Sequence, residues 1–421
     1  MSRLAIKNAR IVGAGDISRG NILIENGKIS ALGKLDIPSD CEVIEAEGYT
    51  VAPGFIDLHV HLRDPGFTYK EDIISGCKAA AAGGVTGIVA MPNTKPTVDT
   101  PETVKYILDK AKDADAKVYP VAAATKNLVS DELTDFDALV QAGAAAFSDD
   151  GVPVKTAPAL VESLKAAYRL HKPFLAHCEE SAISGTGIIN EGKVSKELGV
   201  EGISGAAEDL GTAREIAAAM STNTAVHVCH VSTKTSVEII RGAKAVGANV
   251  TAETCPHYFA FTEEKLLTRD ADFRMNPPLR TQVDKDAVIE GIKDGTIDVI
   301  VTDHAPHSAE EKSDFLKSPN GSIGVETSFA ASMTYLVKAG HITVEKLIDM
   351  MSTKPAKILG IDAGELKVGR DADIVIFDEN EKWIVDENKL HGKSKNTPFK
   401  GLELCGRVKY TILNGKIVYK N

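Results

Sequence analysis

Eight short apolar runs, each followed by a stretch of helical periodicity, constrain this chain more than any other feature. The runs are Gly54–Leu62, Thr86–Met91, Lys117–Ala123, Ala144–Asp150, Pro173–Glu179, Ala225–Ser232, Asn249–His257 and Asp298–His304. Between them, segments such as Pro101–Ala114, Ala157–Leu170, Ala206–Met220 and Lys234–Val246 are rich in Ala, Glu and Lys and space their apolar residues as helices do. Such runs suit strands covered on both faces, and helices between them supply the crossovers that parallel pairing requires. Eight consecutive strand–helix units predict an α/β fold, a (β/α)8 TIM-like barrel. On the pattern alone an open doubly wound sheet is the alternative. No Gly-x-Gly-x-x-Gly follows the first core strand, which counts against the dinucleotide-binding version of that sheet.

The two chain ends resemble each other and differ from the middle. Asn21–Glu25 and Lys28–Leu32 flank Asn26-Gly27, and Lys409–Leu413 and Lys416–Tyr419 flank Asn414-Gly415. An Asn-Gly pair between alternating runs marks a tight hairpin, because both turn residues need positive φ. Further strands are predicted at Leu4–Val12, Cys41–Ala46 and Ala372–Phe377. Residues 1–52 and 364–421 therefore read as one small β-sandwich-like domain formed from both chain ends. Residues 53–363 read as the barrel with its C-terminal helices.

Composition narrows the partners. The chain has 48 Lys and Arg against 59 Asp and Glu, a net charge of −11. That balance disfavours nucleic acid, whose phosphates must be met by a positive field. No apolar run is long enough to span a membrane, and the first ten residues lack the apolar core of a signal peptide. The six cysteines (Cys41, Cys77, Cys178, Cys229, Cys255, Cys405) include no C-x-x-C pair and fit a reducing cytoplasm better than a disulfide framework.

The chemistry lies at the C-terminal ends of the predicted strands. In Asp57-Leu58-His59-Val60-His61-Leu62-Arg63, strand alternation puts Asp57, His59, His61 and Arg63 on one face. His177 closes the fifth run, His230 the sixth, Asp303 the eighth, and Asp149-Asp150 the fourth. A lone His-x-His arises readily by chance. Four histidines and several carboxylates at equivalent strand ends do not, and that end of a barrel is where active sites form. The donor set suits a borderline metal such as Zn²⁺. His227, on the opposite strand parity from His230, reads as packing or as support for a ligand.

These segments resemble the amidohydrolase superfamily, and within it the class I dihydroorotases. The likeness is carried by Gly54-Phe55-Ile56-Asp57-Leu58-His59-Val60-His61-Leu62-Arg63-Asp64-Pro65-Gly66, Ala90-Met91-Pro92-Asn93-Thr94, Phe147-Ser148-Asp149-Asp150-Gly151, Asn276-Pro277-Pro278-Leu279-Arg280 and Thr302-Asp303-His304-Ala305-Pro306-His307. Gly369-Arg370-Asp371-Ala372-Asp373 resembles the re-entry into the family's accessory β domain. The resemblance implies one or two zinc ions, with His59, His61 and Asp303 on one and His177 and His230 on the other. Many superfamily members bridge two metals with a carbamylated lysine after strand 4. Here the class I pattern places Asp150 in that role, and Lys155 lies beyond the strand end.

The implied reaction is the reversible cyclisation of N-carbamoyl-L-aspartate to L-dihydroorotate plus water, a step of de novo pyrimidine biosynthesis. A metal-held hydroxide would be the nucleophile in ring opening and Asp303 the general base and acid. Arg63, Asn93 and His307 would bind the substrate carboxylate, and Asn276 the ring. Family members are often dimers, and association with aspartate carbamoyltransferase is an analogy open to this chain. Hydantoinase, dihydropyrimidinase and allantoinase are the enzyme alternatives, and a metal-free scaffold is the non-enzyme one. The polar segment between His307 and Val325 has the composition of a flap or a plain surface loop.

Overall fold

The computed structural model describes residues 3–421; Met1 and Ser2, the start of the predicted N-terminal segment, lie outside the described residues. The eight barrel strands are β1 (Phe55–Val60), β2 (Val85–Ala90), β3 (Lys117–Ala122), β4 (Ala146–Phe147), β5 (Leu175–Ala176), β6 (Val226–Val228), β7 (Val250–Thr254) and β8 (Val299–Ile300). They pair in parallel as two four-stranded arcs, β1 to β4 and β5 to β8. Single bridges from Phe147 to Phe174 and from Val60 to His304 join the arcs and close the barrel. The amide of His61 completes the second seam by donating to the carbonyl of His304 at 2.8 Å.

Each paired strand falls inside one predicted run, except that Val85–Ala90 begins one residue ahead of Thr86–Met91, and several are shorter than their run. The shortening is at the C-terminal end, where the backbone leaves the ladder and turns its polar side chains inward. Arg63 (φ 60°), His230 (φ 35°) and Asp303 (φ 47°) all hold left-handed backbone there. Non-glycine residues resist that conformation, and such strain collects at functional sites.

The crossover helices start and bury as their sequences dictate. The helix Ala157–Arg169 is capped by the Thr156 side chain, which accepts from the amide of Ala159, and has Pro158 in its first turn. Its buried residues Ala159, Leu160, Ser163, Leu164 and Ala167 form one stripe at helical spacing. The helices Pro101–Lys110, Gly205–Thr222 and Lys234–Ala245 follow the predicted spans within a few residues at either end.

The chain ends form one eight-stranded sheet. Its order is Lys416–Lys420, Glu403–Leu413, Ile374–Ile384, Thr50–Pro53, Arg3–Ile11, Arg19–Glu25 and Lys28–Gly33, and Glu42–Glu45 also pairs with Arg3–Ile11. Both Asn-Gly pairs turn as predicted, with positive φ at Asn26, Gly27, Asn414 and Gly415. The sheet curls until these two hairpins touch: the Ala372 amide donates to the Gly27 carbonyl and the Gly415 amide to the Ala372 carbonyl. Ile6, Ile22, Ile24, Ile374, Ile376 and Ile412 fill the interior of the curl. Phe377 of this sheet packs on Phe329 and Phe55 of the barrel, with ring centroids 4.5 and 6.4 Å apart, and ties the two units together.

Candidate metal centre and active-site cavity

The barrel end receives one side chain after another from separate strands and converges them on Asp150. The Asp150 Oδ1 atom lies 3.3 Å from His59 Nε2, 3.5 Å from His177 Nδ1 and 3.6 Å from His230 Nε2. Its Oδ2 is 3.4 Å from His61 Nε2. Asp303 Oδ1 is 3.1 Å from His61 Nε2 and 3.6 Å from His59 Nε2. The six residues singled out at strand ends are thus brought together, in two groups that share Asp150: His59 and His61 on one side, His177 and His230 on the other. Asp149 points away and accepts from the Ala124 amide and from the Thr125 amide and hydroxyl, securing the end of β3. Lys155 is exposed in the loop beyond.

The donor set fits metal ions. Ligand atoms about 2.0–2.2 Å from a common tetrahedral ion stand roughly 3.3–3.6 Å apart, the separations found around Asp150. His59 Nε2 and Asp150 Oδ1 are buried without hydrogen-bond partners, a costly arrangement that a cation between them would relieve. Burial alone would raise the Asp150 carboxyl, but the charge of His59 and the close approach of the His177, His230 and His59 imidazoles hold it well below the usual carboxylate range. Despite burial, Asp150 and Glu179 push His177 up to about 10. A pocket whose carboxylates resist protonation and whose imidazoles attract protons is one that favours added positive charge.

Hydrogen bonds behind the imidazoles decide which nitrogen each presents. His59 Nδ1 lies 2.6 Å from Glu253 Oε1, His61 Nδ1 lies 2.8 Å from Asn93 Oδ1, and His177 Nε2 lies 3.4 Å from Glu179 Oε2. A carboxylate or amide oxygen accepts only, so in the neutral ring each of these nitrogens carries the hydrogen and the opposite one turns its lone pair to the cluster. Glu253 is further fixed by His227, whose Nε2 is 2.9 Å from Oε2, and His227 Nδ1 is 2.7 Å from the Thr251 hydroxyl. His227 therefore braces a ligand from behind. A third grouping, His59 with Cys229 and Glu253, is occupied by the His59–Glu253 bond.

Glu179 and Glu253 did not emerge from the sequence. Glu179 had a legible signal, two residues beyond His177 on the same strand parity. Glu253 had none, because its partner His59 is 194 positions away.

Beside the cluster is a cavity of about 290 Å³ whose wall includes Arg63, Asn93, Asn276 and His307. Arg63 reaches it from the end of β1, its Nε donating to the Pro306 carbonyl at 3.2 Å and its Nη2 lying 3.5 Å from His307 Nε2. Among the described residues the guanidinium forms no ion pair, although burial lowers its pKa and Asp303 and Asp150 raise it. Asn276 Nδ2 donates to Glu179 Oε2 at 2.8 Å, so this residue both lines the cavity and helps hold the His177 partner. The segment after β8 lies across the mouth. Its Phe315 is buried with Ile189, Val194 and Leu266, and Asn320 and Gly321 line the cavity. From the far end of the chain, Asn396 accepts from the His307 amide and donates to the carbonyls of Ala305 and Gly321.

Comparison with known proteins gives this geometry its family. The amidohydrolase family matches residues 50–418. The chain is 46% identical to the dihydroorotase of Acetivibrio thermocellus and 47% identical to that of Geobacter metallireducens, covering 99% of both chains in each case. Among solved structures, the L-hydantoinase (dihydropyrimidinase) of Arthrobacter aurescens superposes with a TM-score of 0.89 at 25% identity, over 100% of this chain and 96% of that one. Among the described residues no helix is long and apolar enough to cross a membrane. With the family matched over most of its length and relatives of this identity from end to end, the chain belongs to the amidohydrolase family, in its dihydroorotase branch, and is a hydrolase of cyclic amides.

Proposed function

We propose that the chain catalyses the reversible closure of N-carbamoyl-L-aspartate to L-dihydroorotate and water, with Zn²⁺ held by His59, His61, Asp150, His177, His230 and Asp303. The observation that carries the substrate is Arg63, a cation without an ion-pair partner in the wall of a cavity beside the donor cluster. A neutral hydantoin or dihydropyrimidine ring offers such a guanidinium only uncharged carbonyl oxygens. The carboxylate of dihydroorotate offers two parallel charged hydrogen bonds. The relatives at 46 and 47% identity named dihydroorotase support the same choice.

Imidazole and carboxylate donors without a thiolate in the two groups suit zinc. When bound, such an ion acidifies water towards neutral pH and polarises an amide carbonyl. The protein residues do the rest. Arg63, with Asn93 and His307, fixes the substrate carboxylate and so places the ring amide over Asp303. The Asp303 carboxyl is below its usual range, because the His61 hydrogen bond and nearby imidazole charges outweigh burial. It is therefore ionised at neutral pH and accepts the proton of the attacking water. It returns that proton to the ring nitrogen as the C–N bond breaks. Ring closure follows the same path backwards.

The test is hydrolysis of dihydroorotate, hydantoin and allantoin side by side, with zinc counted in the purified protein. Preference for dihydroorotate with one or two zinc ions per chain is expected. Preference for an uncharged ring would transfer the chain to the hydantoinase reading. A chain without metal and without activity after zinc addition would make it a scaffold.

A further inference from the structure

We infer that Lys70, outside the cavity wall, is a positioning residue that selects for the substrate carboxylate by fixing which nitrogen of His307 carries its hydrogen. The inference rests on the proposed dihydroorotate chemistry. Lys70 follows β1 in the segment Phe67-Thr68-Tyr69-Lys70, and its ammonium lies between the aromatic rings of Phe67 and Tyr69, 5.6 Å from each centroid. Its Nζ is 3.2 Å from His307 Nδ1 and 2.8 Å from Glu311 Oε1. An ammonium donates and never accepts, so His307 Nδ1 is the acceptor and the hydrogen of the neutral ring sits on Nε2. The contact on the other side agrees: Nε2 is 2.9 Å from the carbonyl oxygen of Asn320, which only accepts. Nε2 is also the nitrogen turned towards Arg63 and the cavity. His307 thus keeps its N–H, shared with the Asn320 carbonyl, on the side where an anionic oxygen is to be held.

Without Lys70 the Nδ1 side loses its donor, and Glu311 competes with the Asn320 carbonyl for the one hydrogen of the neutral ring. The nearest partner of Nδ1 is then Glu311 Oε2, 3.5 Å away, which accepts. In those rings whose hydrogen goes to Nδ1, a bare Nε2 lone pair faces the substrate carboxylate. Charged groups facing the ring are Arg63, Lys70 and Lys312 on the positive side and Glu311 on the negative. With burial, the three cations push His307 down to about 3, so the wild-type ring stays neutral through the working range. Removing Lys70 and leaving Glu311 in place raises the ring from there, with burial, Arg63 and Lys312 still opposing its protonation.

The experiment measures KM and kcat for dihydroorotate from pH 5.5 to 8.5 in wild type, Lys70→Met, Lys70→Arg and Glu311→Gln. Lys70→Met should raise KM about tenfold or more at pH 8, as loss of one hydrogen bond to a charged group does, while kcat stays within about threefold. The ratio of its KM to the wild-type value should fall towards the acid end of the range, as a growing share of rings is protonated and regains a donor at Nε2. Lys70→Arg, which keeps a donor and tests the site should Lys70→Met not fold, should restore KM. Glu311→Gln should leave KM near wild type, since Lys70 still reaches Nδ1. An unchanged KM in Lys70→Met, a pH-independent ratio, or an equal rise in Glu311→Gln would overturn the inference while wild-type turnover of dihydroorotate stands. A wild-type protein that does not open dihydroorotate would overturn the functional reading and this inference together.

Discussion

Replacing Arg63 by Met removes the guanidinium, keeps an unbranched apolar stem and leaves the donor cluster untouched. The expected loss follows from the surroundings. A charge-assisted hydrogen bond contributes about 1.5–3 kcal/mol, and a two-pronged guanidinium–carboxylate contact has two of them. Against this, the variant no longer carries the cost of holding a largely buried cation without a carboxylate partner, and Asn93 and His307 remain as donors. On the substrate side the loss deepens, because the Asp150 and Asp303 carboxylates stay and Arg63 no longer helps to offset their repulsion of an anionic substrate. Truncating one partner of a buried charged pair costs roughly 2–5 kcal/mol, and about 3–4 kcal/mol is reasonable here. At 1.36 kcal/mol per tenfold, that is a fall of a few hundredfold in kcat/KM for dihydroorotate. The assay compares dihydroorotate with dihydrouracil, the same ring without the carboxylate. The neutral ring should lose little in the variant. A fall of less than tenfold for dihydroorotate, or an equal fall for both rings, would refute the clamp.

Three further outcomes are expected. Asp303→Asn keeps an oxygen beside His61 but loses the proton acceptor, so turnover should drop by about two to four orders of magnitude while metal analysis shows most of the zinc retained; near-normal turnover would remove Asp303 from the mechanism. Glu253→Ala strips the acceptor from behind His59 and should weaken metal binding by about 10–100-fold in a chelator competition, and an unaltered affinity would show that the His59 ring is oriented by packing alone. Glu215 is buried with Oε2 unpartnered, and burial pushes its carboxyl up to about 7 from an ordinary 4.5, against the opposing effect of Arg214. A raised carboxyl favours the fold while protonated, and that contribution is lost as pH rises through 7, at a cost of about 3 kcal/mol. Glu215→Gln should therefore melt higher than wild type at pH 8 and alike at pH 5; a pH-independent difference would contradict the assignment.

The amino-acid sequence alone determined the eight strand–helix units, with a barrel preferred to an open doubly wound sheet, the two Asn-Gly hairpins and the strand ends at which chemistry gathers. Those features are local: apolar runs and helical spacing act within a dozen residues, and strand alternation alone puts His59, His61 and Arg63 in phase. Asp150 was placed by the class I resemblance, and the structure turns Asp149 away from the cluster onto Ala124 and Thr125. Closure of the barrel was not local, and it brought Asp303 to 3.1 Å from His61 across 242 positions. Only the tertiary structure decided how the imidazoles are aimed, because the carboxylates and the amide behind them come from other strands and leave no periodic trace. Glu253, braced by His227 and set against His59, is the clearest case. Lys70 on His307 and Asn396 beneath it, joining distant parts of the chain, are two more. Residue type and spacing settle which side chains stand at a strand end. The direction of a lone pair depends on what stands behind the ring, and only the folded chain supplies that partner.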